Sequence, residues 1–138
     1  MEYVSLGLTD TVTPVMGSVT SVYGYRDHPV SGEYLFHAGV DLAAETGTPI
    51  LAFASGVVDY IGESDAYGLY VQLDHGNGVT SFYCHCSALY VQKGETVTKG
   101  QTIAAVGETG NATGPHLHLE MKRDGVRLNP IYYIDTVS

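Results

Sequence analysis

Apolar and polar residues alternate with a period of two in several short segments, and turns rich in glycine separate those segments. Residues 69–74 alternate, and a second apolar run begins at Val79, just after Asn77-Gly78. Asn-Gly between two such runs is a strong hairpin signal, because both central residues of a type I′ turn need a positive φ angle. Asp124-Gly125 repeats this arrangement near the carboxyl end. No long helical periodicity with capping residues is found. The pattern therefore predicts an all-β fold, mainly antiparallel, with long loops.

The length and composition of the chain indicate how many domains it contains. The chain has 138 residues, which is long enough for one domain with its own core. We expect a domain over residues 14–134, an amino-terminal extension or linker over 1–13 and a carboxyl-terminal tail over 135–138. No stretch approaches the roughly 18 apolar residues of a membrane span, and the start of the chain lacks the pattern of a signal peptide. We therefore expect a segment of a longer protein, with no membrane insertion of its own.

The charge balance excludes one class of partner. Six Lys and Arg residues face fifteen Asp and Glu residues, and the formal net charge is −9. Binding a phosphate backbone needs clustered cationic side chains. The composition therefore predicts that nucleic acid is not a partner.

Two separated motifs carry the donor atoms of a metal site. They are His37-Ala-Gly-Val-Asp41 and Gly114-Pro-His116-Leu-His118-Leu-Glu120. On a strand, His116 and His118 point to the same face and Glu120 continues that face. A catalytic zinc site typically has about three protein ligands and keeps one position open. His37, Asp41 and one of the paired histidines supply such a set.

His85 lies in Ser81-Phe-Tyr-Cys-His-Cys86 and completes a candidate catalytic set. Strict alternation puts Tyr83 and His85 on one face of the strand, with Cys84 and Cys86 on the other. The two cysteines are therefore predicted to be reduced thiols facing the core. We expect His75, at the hairpin turn, and His28, which precedes a proline, to have structural roles.

These motifs resemble the lysostaphin-type, LytM-like zinc metallopeptidases of family M23, which cut peptide cross-links of bacterial peptidoglycan. The resemblance extends from about Pro14 to Tyr133. Besides the two motifs and His85, it rests on Tyr23-Gly-Tyr-Arg26, Gly47-Thr-Pro-Ile50, Gly76-Asn-Gly78, Gly94…Val97…Gly100-Gln101 and Gly107-Glu-Thr-Gly110. The order of these segments makes the match specific.

The resemblance implies that His37, Asp41 and His118 bind one Zn²⁺ and that His85 and His116 form the catalytic pair. It also implies a small antiparallel sheet, related to barrel-sandwich folds, with a substrate groove across it. Loops 25–36, 62–68, 86–95 and 108–115 are the expected walls of this groove. Tyr34 and Tyr67 are candidates for contact with the substrate, and Glu120 for support of a ligand imidazole.

The implied function is zinc-dependent hydrolysis of peptide bonds in peptidoglycan cross-links or stem peptides, outside the cytoplasm. The missing regions of a longer protein would contact envelope-assembly partners. One alternative is a latent or non-hydrolytic domain that acts as a scaffold or activator in envelope, division or sporulation assemblies. Another is a biotinyl or lipoyl carrier, which residues 91–107 resemble, but neither Lys93 nor Lys99 has the flanking residues expected of an attachment site.

Overall fold

The computed structural model describes residues 6–8, 10–27, 34–110 and 112–137. These ranges contain twelve β-strands, one short 3₁₀ turn (Pro130–Tyr132) and no α-helix. The strands are β1 Ser18–Ser21, β2 Gly24–Asp27, β3 Tyr34–His37, β4 Val40–Ala43, β5 Pro49–Leu51, β6 Gly56–Ser64, β7 Gly68–Asp74, β8 Val79–Leu89, β9 Thr96–Val97, β10 Thr102–Val106, β11 His116–Arg123 and β12 Val126–Leu128. All pairings among them are antiparallel. The predicted all-β antiparallel fold is confirmed.

One large sheet forms the body of the molecule, in the order β1-β4-β11-β8-β7-β6-β9. Strand β10 pairs with both β5 and β8, β12 pairs with β11, and β2 and β3 form a separate hairpin. The eleven-residue strand β8 pairs with β7 and β11 along its first part and with β10 near its end. No helix in the described ranges is long and apolar enough to cross a membrane.

Both turn predictions are confirmed. The β7–β8 connection contains Asn77 and Gly78 with φ angles of 53° and 75°, and the β11–β12 connection contains Asp124 and Gly125 with 51° and 78°. Arg123 and Val126 are paired across the second turn, which is therefore a two-residue hairpin. This turn fixes the register of β12 against β11.

The two faces of β11 differ in chemistry. Leu117, Leu119 and Met121 are buried in the hydrophobic core, and the histidines alternate with them. A row of hydrogen-bonded polar side chains crosses part of the core. The hydroxyl of Tyr83 is 2.6 Å from Ser81 Oγ, which is 2.7 Å from His75 Nε2. His75 also contacts the carbonyl of Ser55 through Nδ1, at 3.0 Å. The structural role predicted for His75 is confirmed, and His28 lies outside the described residues.

The strict alternation predicted for β8 is wrong after Tyr83. The β7–β8 register shifts between Leu69 and Val71, and His85 has a φ of 63°, so β8 contains a bulge at this histidine. Tyr83 and Cys86 belong to the core cluster, whereas the ring of His85 contacts those of other histidines. Tyr83 and His85 therefore do not share a face.

The prediction that both cysteines face the core is wrong for Cys84. It is the direct cross-strand partner of His118, and cross-strand partners project on the same face. Both thiols are free and buried, as expected, and burial is the main cause that raises their pKa, to about 12 for Cys86 and higher still for Cys84. The bulge thus separates the two cysteines, with Cys86 in the core and Cys84 beneath the histidines.

Both chain ends make contacts with the sheet in the described residues. Leu6 is buried in the core cluster, and the amide of Val12 donates to the carbonyl of Phe53 at 2.8 Å. Near the other end, the amide of Asp135 donates to Thr13 Oγ1, and that of Val137 to the carbonyl of Gly17. The boundary between an extension and a domain at residue 14 stays a prediction.

Gly68 begins β7 and lies against the loop that supports His85. It has a φ of +64°, and a Cβ there would lie 2.4 Å from the carbonyl carbon of Thr109, whereas Gly76 has a φ of +84° with open space around it. We expect Gly76→Ala to lower the free energy of unfolding by about 1 kcal/mol, the cost of the left-handed backbone alone. Gly68→Ala should cost roughly 1–3 kcal/mol more, because the added methyl group overpacks the loop. Urea unfolding measures both, and equal losses would contradict this interpretation.

Candidate metal centre

Three strands bring the predicted ligand residues together. Asp41 on β4 and His118 on β11 are direct cross-strand partners, and His37 ends β3. His118 Nδ1 lies 2.8 Å from Asp41 Oδ1, and His37 Nε2 lies 3.4 Å from the same oxygen. One donor atom from each of the three residues lies within 4.8 Å of the other two. The structure therefore assembles two imidazoles and one carboxylate around one point.

The outer nitrogen of each of these imidazoles is held by a hydrogen bond. His37 Nδ1 donates to the carbonyl of Val22 at 2.8 Å, and its Nε2 faces Asp41. His118 Nε2 lies 2.9 Å from Glu120 Oε2, and Glu120 is buried. Such contacts fix the tautomer and orientation of metal-binding histidines. Two oriented imidazole nitrogens and one carboxylate oxygen form a set of metal-binding atoms that fits Zn²⁺.

The carboxylates determine the proton affinity of this cluster. Burial tends to raise the pKa of Asp41, but hydrogen bonds from His118 and His37 outweigh that effect. The pKa of Asp41 therefore lies well below its usual range. Burial likewise tends to lower the pKa of His118, but Asp41 and Glu120 together raise it to about 9. Without a cation, the site therefore retains a proton on His118 at neutral pH.

His85 and His116 lie beside this cluster with their rings 4.8 Å apart. His85 Nδ1 donates to the carbonyl of Thr109 at 2.7 Å, and His116 Nδ1 to that of Gly114 at 2.9 Å. Both rings therefore have Nε2 available as a proton acceptor. Burial, and then the neighbouring His116 and His118, lower the pKa of His85, which favours its neutral form.

The two histidines of β11 differ in their distance from the shared carboxylate. His116 Nε2 is 3.7 Å from Asp41 Oδ1, compared with 2.8 Å for His118 Nδ1, and His116 is not among the three clustered donors. The common face of His116 and His118 is confirmed. The assignment of ligand and catalytic roles within the pair stays a proposal.

Aromatic side chains flank the cluster on the side of β7 and β8. The Tyr67 ring stacks on His118 with centroids 6.0 Å apart and meets Phe82 edge-on at 5.2 Å. Beside it is an open, mostly apolar hollow of about 470 Å³, lined by Tyr60, Ser64, Ala66, Tyr67, Tyr70, Gln72 and Phe82. Tyr67 thus borders both the histidine cluster and this hollow, and its contact with a substrate stays a prediction. The side chain of Tyr34 and part of the loop 25–36 lie outside the described residues.

Sequence reasoning named Glu120, which contacts His118, but missed the groups that hold the other three histidines. The acceptors for His37, His85 and His116 are backbone carbonyls, so the residue types that carry them give no signal. Thr109 does more than accept one bond, because its hydroxyl donates to the carbonyl of Cys86 and accepts from the amide of Leu69. This threonine lies in the Gly107-Glu-Thr-Gly110 motif, and that motif was the available signal.

Comparisons with known proteins identify the family of the chain. The family model described as peptidase family M23 matches residues 35–130. A DD-carboxypeptidase/endopeptidase, Mpg, of Neisseria meningitidis serogroup B is 42% identical over 113 residues, which are 82% of this chain and 26% of that protein. The peptidoglycan DD-endopeptidase ShyC of Vibrio cholerae is 43% identical over 105 residues, 76% of this chain and 24% of that protein. The chain thus spans about a quarter of the length of these relatives.

A solved structure shows the same fold. The catalytic domain of the antimicrobial peptidase lysostaphin from Staphylococcus simulans superposes with a TM-score of 0.75 at 29% identity. The match covers 85% of this chain and 91% of that domain. The predicted resemblance to lysostaphin-type proteins is confirmed.

The raised pKa of His118 predicts how the metal-free protein responds to pH. Its folded pKa of about 9 exceeds the ordinary value of 6.5. The corresponding stability is therefore fully present below about pH 6.5 and is lost as the pH rises through about 9. We expect Glu120→Gln to lower this pKa, because it removes one of the two carboxylates, and the exposed Glu108→Gln to leave it unchanged. Histidine NMR titration of the metal-free protein measures the shift, and an ordinary pKa for His118 would contradict the geometry.

Proposed function

Since the chain belongs to peptidase family M23, we propose that it is a zinc-dependent endopeptidase that hydrolyses peptide bonds in peptidoglycan cross-links or stem peptides. The observation that carries the proposal is the convergence of His37, Asp41 and His118 beside two further imidazoles. A binding module would not need His85 and His116 with their Nε2 atoms available. The relative ShyC, named as a peptidoglycan DD-endopeptidase, supports the substrate class.

We propose that His37 Nε2, Asp41 and His118 Nδ1 hold one zinc ion. When bound, zinc supplies a Lewis acid that lowers the pKa of water toward 7 and polarises a peptide carbonyl. The proton on His118 has to leave first, because a ligand nitrogen needs its lone pair. Glu120 keeps the other nitrogen of that ring as the donor, so the ring stays oriented when the proton departs.

In this proposal His85 and His116 handle the protons of hydrolysis. Each donates its Nδ1 proton to a backbone carbonyl, so each can accept a proton at Nε2 without rotating. One of them takes the proton that the attacking water loses. The other stabilises the developing oxyanion by a hydrogen bond or protonates the leaving amine. The burial that favours neutral His85 favours its use as the acceptor.

The wider setting follows from the substrate. Peptidoglycan lies outside the cytoplasm, so we propose an extracytoplasmic location for this domain within a longer secreted or membrane-anchored protein. Other regions of that protein would contact envelope-assembly partners. Nucleic acid is not a proposed partner, because the net charge of −9 repels it.

The division of roles on β11 predicts different defects for the two histidines. His118→Ala removes a proposed ligand, and we expect the purified variant to lose its zinc on dialysis. His116→Ala removes only a proton-transfer group, so we expect it to retain zinc and lose at least about a hundredfold in kcat, the usual contribution of such a group. Metal analysis of both variants measures the difference. Equal zinc loss would contradict the assignment.

Hydrolysis itself is tested with purified peptidoglycan. We expect the zinc-loaded protein to release soluble fragments, whose mass spectra identify the bond that is cut, and the His85→Ala variant to release none. Loss of turnover on chelation and recovery with added zinc would connect the activity to the metal. Retained zinc without turnover on any peptidoglycan would contradict the enzyme and favour the scaffold or activator alternative.

A further inference from the structure

Two cationic side chains lie directly opposite each other at the far end of β11. Lys122 and Arg127 are cross-strand partners in the β11–β12 hairpin, and we call them the basic pair. Cross-strand partners project on the same face, about 5 Å apart at Cβ. Lys122 is half-buried and Arg127 is exposed. The basic pair therefore concentrates two positive charges at one point of the sheet.

Two cations placed opposite each other destabilise the sheet, and such a pair is unusual in a chain with so few cationic residues. Only six Lys and Arg residues occur in the sequence, against fifteen Asp and Glu. Like charges directly opposite on neighbouring strands destabilise a sheet. In the ranges that the structure describes, neither member of the basic pair forms an ion pair with a carboxylate. The nearest acidic residue on the strand, Glu120, is already bonded to His118. A bound anion would remove the repulsion.

The basic pair lies on the same face as the metal centre. His116, His118, Glu120 and Lys122 follow one another at every second position of β11, whose register is unbroken from His118 to Arg123. Four residues of strand place Lys122 about 13 Å from His118, a distance that an extended peptide spans with about four residues. Arg127 is also close enough to Tyr23 and Tyr67 to act on both phenol groups electrostatically. Since Tyr67 stacks on His118, the basic pair and the metal centre border one surface.

We propose that Lys122 and Arg127 form a subsite that binds a free carboxylate of the peptide substrate, three to four residues from the bond that is cut. This inference rests on the proposed function and names a feature of its substrate. An Arg guanidinium binds a carboxylate through two parallel hydrogen bonds, and Lys adds a point charge. A repeating polyanion is a poorer candidate, because the net charge of −9 repels it at long range.

The test compares synthetic cross-linked peptides in which the carboxyl groups are amidated one at a time. For the wild-type protein we expect one amidation to lower kcat/KM about tenfold, mainly through KM, because a charge-assisted hydrogen bond is replaced by a neutral one. Arg127→Gln and Lys122→Gln should cleave the free and amidated peptides at nearly equal rates. Arg123→Gln is the matched control: it removes the same charge from the same hairpin but projects on the opposite face, and it should keep the discrimination.

Two results would overturn the proposal. One is equal cleavage of all the peptides by the wild-type protein, and the other is discrimination that persists in both Gln variants. Competition by poly(glycerol phosphate) that depends on Arg127, without discrimination among the peptides, would assign the subsite to a phosphate polymer and overturn the peptide assignment.

A binding measurement separates this inference from the proposed function. If no peptide is cleaved, the proposed function fails, and the affinity of the same peptides is measured by NMR titration of the wild-type and variant proteins. A roughly tenfold weaker affinity for one amidated peptide, lost in Arg127→Gln and kept in Arg123→Gln, would still support the subsite. Equal affinities would overturn it.

Discussion

The site depends on the pairing of β4 with β11, because that pairing sets Asp41 beside His118. A single carboxylate oxygen lies within 3.7 Å of nitrogens from three histidines, His37, His116 and His118. Imidazoles brought this close, with His118 buried and the other two half-buried, would repel one another if any two were charged. The Asp41 carboxylate offsets that repulsion, because one of its oxygens faces all three rings. A register slip of one residue would turn Asp41 to the other face and dismantle the cluster.

The backbone bulge at His85 is the second constraint. A regular strand would point the side chain at position 85 into the core beside Tyr83. The φ of 63° turns it instead toward His116, and the amide of His85 donates to the carbonyl of Tyr67 at 2.7 Å. Non-glycine residues in this conformation cost energy and persist where the surroundings hold them. Here Thr109 holds the ring and the bulged segment together, through its carbonyl and its hydroxyl.

The bulge also explains how far sequence reasoning could go. The hairpin turns, the antiparallel fold and the common face of His116 and His118 follow from local rules, which act over two to four residues. The convergence of Asp41 with His118 depends on the pairing of β4 with β11, whose partners at the site lie 77 positions apart, and only the resemblance to a family could supply it. The face of His85 was mispredicted because the alternation rule assumes an unbroken register, and nothing in Tyr-Cys-His-Cys marks the break. The error for Cys84 has the same cause.

Two kinds of hydrogen-bond acceptor orient the histidines, and they differ in their effect on the proton affinity of the ring. His37, His85 and His116 each donate to a neutral backbone carbonyl, whereas His118 meets the buried carboxylate of Glu120. A carboxylate makes the ring that it contacts more electron-rich and a stronger donor to a metal. It would also hold a proton on the ring too tightly for rapid transfer. A neutral carbonyl orients a ring with less effect on its proton affinity, which suits a group that must gain and lose a proton in each turnover. The carboxylate of Glu120 therefore suits the metal-ligand role proposed for His118, whereas a carbonyl acceptor is shared by the proposed ligand His37 and by the proposed proton-transfer groups His85 and His116.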